Sequence, residues 1–249
     1  MSEFMPELIQ VASEHDDDNV LNQATVAWLT WNTIDVKQRI EILDQWSTLI
    51  KLQPNLGVLP SQIIDYHNQQ ATTLIADEQV MPGPTGESNV LSASGRGVFI
   101  LMAEEETPIT AFIGLLNCAL VAGNSVIIKD LPEYDIVFDT LQQACHLAGV
   151  AMPVFKVEEQ VQLMEFINDP TIAGLAYVGN QDKVIELNRA LAARDGQIAL
   201  FIFEIDLEQL EAIRDQHLVL RFITEKTLTT NITAVGGNAT LLALGNGDE

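Results

Sequence analysis

The thiols of the two cysteines, Cys118 and Cys145, are the candidate nucleophiles of this sequence. Cys118 lies in a run, 108–123, that predicts an apolar helix, where cysteine usually behaves as a small hydrophobic residue. Cys145 precedes His146, but neighbouring residues on a helix point about 100° apart and do not form a thiolate–imidazole pair. Neither cysteine is predicted to be catalytic.

Acidic side chains dominate the charge of the sequence. There are 35 acidic and 12 basic residues, for a net charge of −23. A nucleic-acid partner is excluded because binding requires basic side chains that displace counterions from phosphates. The run from Asp16 to Asp18 is predicted to be solvated, so no metal site is expected.

The cysteine content and the hydropathy of the sequence indicate the cellular compartment in which the protein is expected. Two cysteines form no disulfide framework, which indicates a reducing compartment. No basic patch leads into an apolar run at the N-terminus, and no stretch approaches the ~20 apolar residues of a membrane span. A cytoplasmic protein without a membrane span is expected.

The first 95 residues predict an arm, helices and a turn-rich ledge. Residues 1–22 are acidic and weakly patterned, which is typical of a loose arm. Apolar residues at three-to-four spacing over 24–51 predict two helices broken near Asn32, and 60–79 predicts another. We assign 1–80 to the arm and helices, and 81–95 to the ledge and a strand of a β-flap.

Strands and helices alternate from residue 96 to residue 206. Such alternation implies right-handed crossovers and a parallel sheet, and strands that are apolar throughout are covered on both faces. The sequence therefore predicts an α/β fold whose 96–206 segment is a Rossmann-like domain. The predicted strands are 98–102, 125–129, 154–157, 172–178 and 198–203.

The tail, 218–249, predicts a C-terminal β-flap. Residues 218–224 and 228–233 are rich in β-formers, and Gly236 and Gly237 form a turn before 239–244. A few strands with little helix beside them require a sheet edge to join. That edge could belong to another subunit or to the chain's own ledge at 88–94.

Several motifs in order carry a family resemblance. They are PGPTGESN at 82–89, GRGVF at 95–99, ALVAGNSVIIK at 119–129, DPTIAGLAYVG at 169–179, NRALAARDG at 188–196 and GGNATLL at 236–242. The sequence over 24–245 resembles the aldehyde dehydrogenase superfamily. It is most similar to the pyrroline-5-carboxylate dehydrogenase module of proline utilization A, a bifunctional proline-catabolic flavoenzyme family.

The resemblance implies that the catalytic machinery is missing. In the family, a catalytic domain with the nucleophilic cysteine lies between the fifth strand and the tail, whereas only about a dozen residues separate Glu204 from Leu218. The family's oxyanion-stabilising asparagine is replaced by Glu106, whose carboxylate would oppose developing negative charge. No catalytic residue is predicted.

The resemblance also marks four weak candidates for cofactor binding. Lys129 matches a lysine that contacts the adenosine ribose of NAD in relatives. Gly179 and Asn180 stand in the family's Gly-Ser-Thr turn, before a helix whose first N–H groups could bind an anion. Glu204 aligns with the acid that precedes the family's Gly-Gly turn.

The departures at this site argue against the cofactor. Pro132 replaces a family glutamate, and Asp182 places negative charge where pyrophosphate would bind. Lys129 could equally be a strand-end lysine that reaches water. No cofactor is expected, with NAD as the alternative.

Two functions follow from the resemblance. The first is a catalytically inactive structural or oligomerisation module, similar to the inactive dehydrogenase-like domain that some members of the flavoenzyme family carry. Its partner would be a second copy, bound through the β-flap, or a full-length proline-oxidising dehydrogenase whose active site or channel it covers. The alternative is an NAD-binding oxidoreductase that is truncated or needs a partner chain.

Overall fold

The structure is a computed structural model that describes residues 20–83 and 86–231. Its first elements are three helices and two strands. The break between the first two helices falls at residues 32–35, as predicted, and the Asp35 carboxylate accepts the Lys37 N–H at 2.8 Å to cap the second. The elements are α1 (20–31), α2 (Val36–Lys51), α3 (Leu59–Leu74), β1 (Gln79–Met81) and β2 (Glu87–Gly95).

A five-stranded parallel sheet forms the centre of the protein. Its strands are β3 (Val98–Ala103), β4 (Ser125–Lys129), β5 (Val154–Val157), β6 (Ile172–Val178) and β7 (Leu200–Glu204). The order is β5-β4-β3-β6-β7, with every neighbouring pair parallel. The predicted Rossmann-like sheet is confirmed, and its topological switch point lies between β3 and β6.

Helices cover both faces of this sheet. Helix α4 is buried along almost its whole length because it lies between the sheet and the N-terminal helices α2 and α3, and it ends at Gly123 with φ 100°. The crossover helices are α4 (Ile109–Ala122), α5 (Asp135–Leu147), α6 (Gln160–Ile167) and α7 (Gln181–Ala193), with a 3₁₀ turn at Pro132–Tyr134.

The segment after β7 corrects one sequence prediction. Helix α8 (Glu211–Arg214) is followed by a 3₁₀ helix, Leu218–Phe222, and then by β8 (Ile223–Asn231). The strand predicted at 218–224 is wrong, because a helical turn buries Leu218, Val219 and Phe222 together in the core. Strand β8 also includes residues 225–227, which lie between the two β-rich runs of the sequence.

The second sheet is antiparallel and has the order β1-β2-β8. Strand β8 pairs with β2 over nine residues, and Val90 lies opposite Leu228. Residues 223–231 of the tail thus pair with the chain's own ledge, which was one of the two possibilities left open. Asp16 to Asp18, the Gly236–Gly237 turn and the strand predicted at 239–244 lie outside the described residues.

No helix in residues 20–83 and 86–231 has the length and apolar character needed to cross a membrane.

Candidate functional site

A crevice of about 400 Å³ lies at the carboxyl ends of β3, β4 and β6. This is the switch point of the sheet, where open α/β folds bind their ligands. The side chains that matter for its chemistry are Glu104, Glu105, Lys129, Tyr177 and Lys183.

Lys129 stands at the end of β4 on one side of the crevice. Its ammonium is partly buried and makes no hydrogen bond or ion pair with any residue in the described ranges. Its sequence neighbour Asp130 is paired with Lys156 at 2.8 Å, and Lys183 is paired with Glu186 at 2.7 Å. Lys129 therefore offers the crevice a cation that has no partner in the part of the chain that the structure describes.

Asn180 stands on the other side and uses all its polar groups within the protein. Its Oδ1 caps α7 by accepting the Lys183 N–H at 2.9 Å. Its Nδ2 donates to both carboxylate oxygens of Glu104, at 2.8 and 2.7 Å, and its backbone N–H donates to the Tyr177 hydroxyl at 3.1 Å. The polar groups of Asn180 at the start of α7 therefore already have protein partners.

Tyr177, Gly179, Asn180 and Glu104 form a closed cluster that we call the Glu104 latch. Burial raises the pKa of Tyr177, and a hydrogen bond with Glu104 raises it further. A Cβ at Gly179 would lie 2.2 Å from the Tyr177 hydroxyl oxygen and 2.9 Å from Glu104 Cδ, so only glycine fits. An anionic ligand group at the start of α7 would meet the Glu104 carboxylate.

Glu204 points away from the crevice. It is 2 % exposed, and its carboxylate accepts backbone N–H groups from Asp206 at 2.9 Å, Ala212 at 2.8 Å and Ile213 at 3.1 Å. Charge-assisted hydrogen bonds of this kind are strong. Glu204 thus closes residues 205–217, a segment we call the bypass, onto the end of β7.

Two side chains of the bypass, Leu210 and Ile213, are buried in the core, whereas most of its other residues are exposed. Ile213 is fully buried against α4, where a Cβ at Gly114 would lie 2.8 Å from Ile213 Cγ2. Tyr66 donates its hydroxyl hydrogen to the Arg214 carbonyl at 3.0 Å. The Leu210 backbone is left-handed, with φ 53°, and its side chain is also buried. These contacts make the bypass an integral element.

His67 lies beneath the bypass. Its ring is fully buried, and neither nitrogen makes a hydrogen bond of normal geometry. Burial lowers the pKa of His67 to about 4, although the Ile213 carbonyl and the Asp215 carboxylate favour its protonation. The imidazole is therefore neutral near neutral pH.

The remaining candidate groups do not assemble a reactive centre. Burial raises the pKa of the Cys118 thiol well above its ordinary value and that of Cys145 to about 12. Glu106 is exposed in a left-handed backbone with φ 63°. The described residues hold no cluster of three or more His, Cys, Asp or Glu side chains suited to a metal.

The structure separates the four predicted cofactor residues. Lys129 lines the crevice, Gly179 and Asn180 lie in the Glu104 latch, and Glu204 holds the bypass. The sequence analysis missed Glu104 and Tyr177. Their positions, directly after β3 and near the end of β6, are the signal that could have indicated them, because such strand ends meet at the switch point.

Comparison with known proteins shows which proteins this chain is similar to. The chain is 27 % identical over 170 residues to the bifunctional protein PutA of Escherichia coli, covering 68 % of this chain and 11 % of that protein. The chain is similar to proline utilization A. It spans 11 % to 16 % of the length of the curated PutA relatives it matches, and no protein-family model matches it.

Solved structures agree with the sequence match. Proline utilization A from Bradyrhizobium japonicum superposes with a TM-score of 0.65 and 26 % identity, over 77 % of this chain and 22 % of that one. A 3,6-anhydro-L-galactose dehydrogenase in complex with NAP superposes with a TM-score of 0.58 and 20 % identity, over 77 % and 44 % of the two chains. The second likeness shows the fold alone. The predicted resemblance to the aldehyde dehydrogenase superfamily and its PutA branch is confirmed.

Proposed function

We propose that this protein is a non-catalytic relative of the PutA aldehyde dehydrogenase module that serves as a structural or oligomerisation module. The observation that carries the proposal is the bypass. Where the family resemblance places a catalytic domain, residues 205–217 are closed by the Glu204 carboxylate and packed through Ile213 on α4. A partner chain supplying the missing domain would have to displace this segment, which the buried Leu210 and Ile213 side chains anchor.

The chemistry of the side chains supports an inactive protein. Both thiols are buried and protonated near neutral pH, because their pKa values are raised. Glu106, in the place of the oxyanion-stabilising asparagine, would repel a developing oxyanion instead of donating to it. The Glu104 latch places a further carboxylate at the start of α7.

The β-flap, β1-β2-β8, is the surface proposed for assembly. Side chains from Glu225 to Asn231 of β8 are exposed, and Leu228 is 67 % exposed. One edge of β8 pairs with β2, and the other has no strand partner within residues 20–83 and 86–231. Strand edges recruit further strands through main-chain hydrogen bonds. The partner is a second copy or a full-length proline-oxidising dehydrogenase whose active site or channel the module covers.

An activity assay tests the catalytic part of the proposal. The purified chain is incubated with pyrroline-5-carboxylate and NAD, and a full-length PutA is assayed in parallel as the positive control. We expect no NADH above the blank from the chain alone. Steady NADH production that scales with its concentration would overturn the proposal.

Size-exclusion chromatography tests the assembly part. The chain is run alone and after co-expression with a full-length PutA, and Leu228→Asp is compared with Leu52→Asp, an equally exposed leucine in the loop after α2. We expect a dimer or a joint peak that Leu228→Asp abolishes and Leu52→Asp retains. A lone monomer peak at micromolar concentration in both runs would remove this role.

NAD binding is the second candidate function. It is favoured by the Lys129 ammonium in the crevice, which is unpaired among the described residues, and by the fold shared with a dehydrogenase solved in complex with NAP. Calorimetric titration with NAD separates the two functions. Submillimolar affinity would establish the second candidate, and the absence of heat at millimolar NAD would end it.

A further inference from the structure

A groove of about 660 Å³ lies beside α1. It lies between α1 and the turn that precedes β5, so it sits at the opposite end of the sheet from the crevice. We call it the α1 groove. The lining residues used below are Val26, Ala27, Trp31, Val150, Ala151 and Phe155.

The walls of the α1 groove are held rigidly. Trp31 is 2 % exposed, and its indole Nε1 donates to the Leu120 carbonyl at 2.8 Å, which locks the ring in place. Gly149 ends α5 with φ 71°, and the Val150 N–H donates to the Cys145 carbonyl at 3.0 Å. This turn leads the chain back along the groove and supplies Val150 and Ala151 to its wall.

The α1 groove carries no charge in a strongly acidic protein. None of the described residues that line it is Asp, Glu, Lys or Arg, although the net charge of the chain is −23. The Thr30 hydroxyl donates to the Val26 carbonyl at 3.1 Å, and the Thr33 hydroxyl donates to the Thr30 carbonyl at 2.7 Å. Because both hydroxyls donate to nearby backbone carbonyls, the wall of the groove is largely apolar.

The size and exposure of the α1 groove suit a small molecule. Its volume falls within the roughly 300–1,000 Å³ of small-molecule sites, which are mostly apolar. Val26 is 63 % exposed although it lines the groove, so an occupant would remove apolar surface from water.

We propose that the α1 groove binds an uncharged, largely apolar small molecule. A neutral ligand fits because a charged one would be desolvated against a wall that offers no counter-charge. An anion would also be repelled by the acidic protein as a whole. The site is separate from the crevice and from the β-flap, so it stands whether or not the proposed function holds.

A matched pair of fluorescent probes tests the proposal. The full chain is titrated with neutral N-phenyl-1-naphthylamine and with its anionic analogue 1-anilinonaphthalene-8-sulfonate, and energy transfer from tryptophan is recorded. We expect saturable binding of one neutral probe per chain, at least about tenfold tighter than the anionic probe, since a tenfold difference needs only a small unfavourable desolvation.

Two phenylalanine substitutions locate the binding. Ala27→Phe fills the α1 groove and is expected to abolish saturable binding, whereas Ala193→Phe, on the exposed end of α7, is expected to retain it. Trp31→Phe keeps the cavity and is expected to retain binding with reduced energy transfer. Circular dichroism confirms that each variant is folded.

Three outcomes would overturn the proposal. The first is no saturable binding of the neutral probe, and the second is equal affinity for the two probes. The third is binding that Ala27→Phe leaves unchanged. If sedimentation equilibrium shows self-association that Ala27→Phe abolishes, a second copy occupies the groove, and the small-molecule proposal is likewise overturned.

Discussion

The two sides of the crevice use their polar side chains in opposite ways. On the β4 side, the Lys129 ammonium has no partner among the described residues. On the β6 side, Asn180 directs its polar atoms into bonds with Glu104 and the start of α7. Glu204, outside the crevice at the end of β7, likewise uses its carboxylate to hold the bypass. Alignment with a cofactor contact therefore does not tell whether the side chain is available for a cofactor.

The largest loss of stability is expected from removing the Glu204 carboxylate. Glu204→Ala leaves the Ala212 and Ile213 N–H groups without an acceptor next to the core, which should lower the free energy of unfolding by about 4 kcal/mol. Urea denaturation measures the loss. Glu208→Ala, an exposed neighbour, is the control and should change stability little. A loss at Glu204 no larger than the control would show that the bypass is not held by this carboxylate.

His67, beneath the bypass, should make the free energy of unfolding depend on pH. Its folded-state pKa, about 4, lies below the ordinary value of 6.5, so the unfolded chain takes up the proton first as pH falls. The stability contribution is fully present above about pH 6.5 and is lost as pH falls to about 4, by about 3 kcal/mol in total.

Denaturation curves between pH 7 and pH 4 test this pH dependence. His67→Leu should remove about 3 kcal/mol of the pH-dependent loss, whereas His146→Leu, an exposed histidine, should retain it. Identical slopes in the wild type and His67→Leu would contradict the prediction.

The Glu104 latch can be opened without disturbing the bypass. Glu104→Ala removes the carboxylate that occupies Asn180 and repels anions, so NAD affinity should rise by about tenfold. Calorimetry on the variant, with Glu105→Ala as the neighbouring control, measures the change. If Glu105→Ala raises affinity as much, general charge reduction and not the latch is responsible.

Lys129 should show the smallest effect on stability. Because its ammonium has no partner in residues 20–83 and 86–231, Lys129→Ala should change the free energy of unfolding by less than about 0.5 kcal/mol. The same variant should remove whatever NAD binding Glu104→Ala gains. A large loss of stability would instead show that Lys129 belongs to the fold, as Glu204 does.

The strands of the central sheet were predictable because each is a short apolar run between helical segments. β4, β5 and β6 match the predicted ranges, and β3 extends one residue further. The strand predicted at 218–224 failed because β-rich composition does not distinguish a strand from a buried 3₁₀ turn. Only packing on α4 decides between them.

The site was predictable only in part. Lys129 was predicted because it ends an apolar strand and matches a family motif; the structure places it in the crevice, and its role in binding stays a prediction. The Glu104–Asn180 bond joins residues 76 positions apart, and no local pattern indicates it. Glu204 was recognised as a motif residue, but its bonds to Ala212 and Ile213 depend on how the bypass folds back.

The sequence by itself determined the parallel sheet, the relationship to proline utilization A and the shortness of the segment after Glu204, because hydrophobic periodicity and motif order are local properties of the chain. The tertiary structure decided which polar atoms remain available. Glu104 closes one side of the crevice, Glu204 anchors the bypass, and Lys129 stays unpaired among the described residues. Hydrogen bonds between distant residues depend on chain packing, and packing assigns each of these side chains its role.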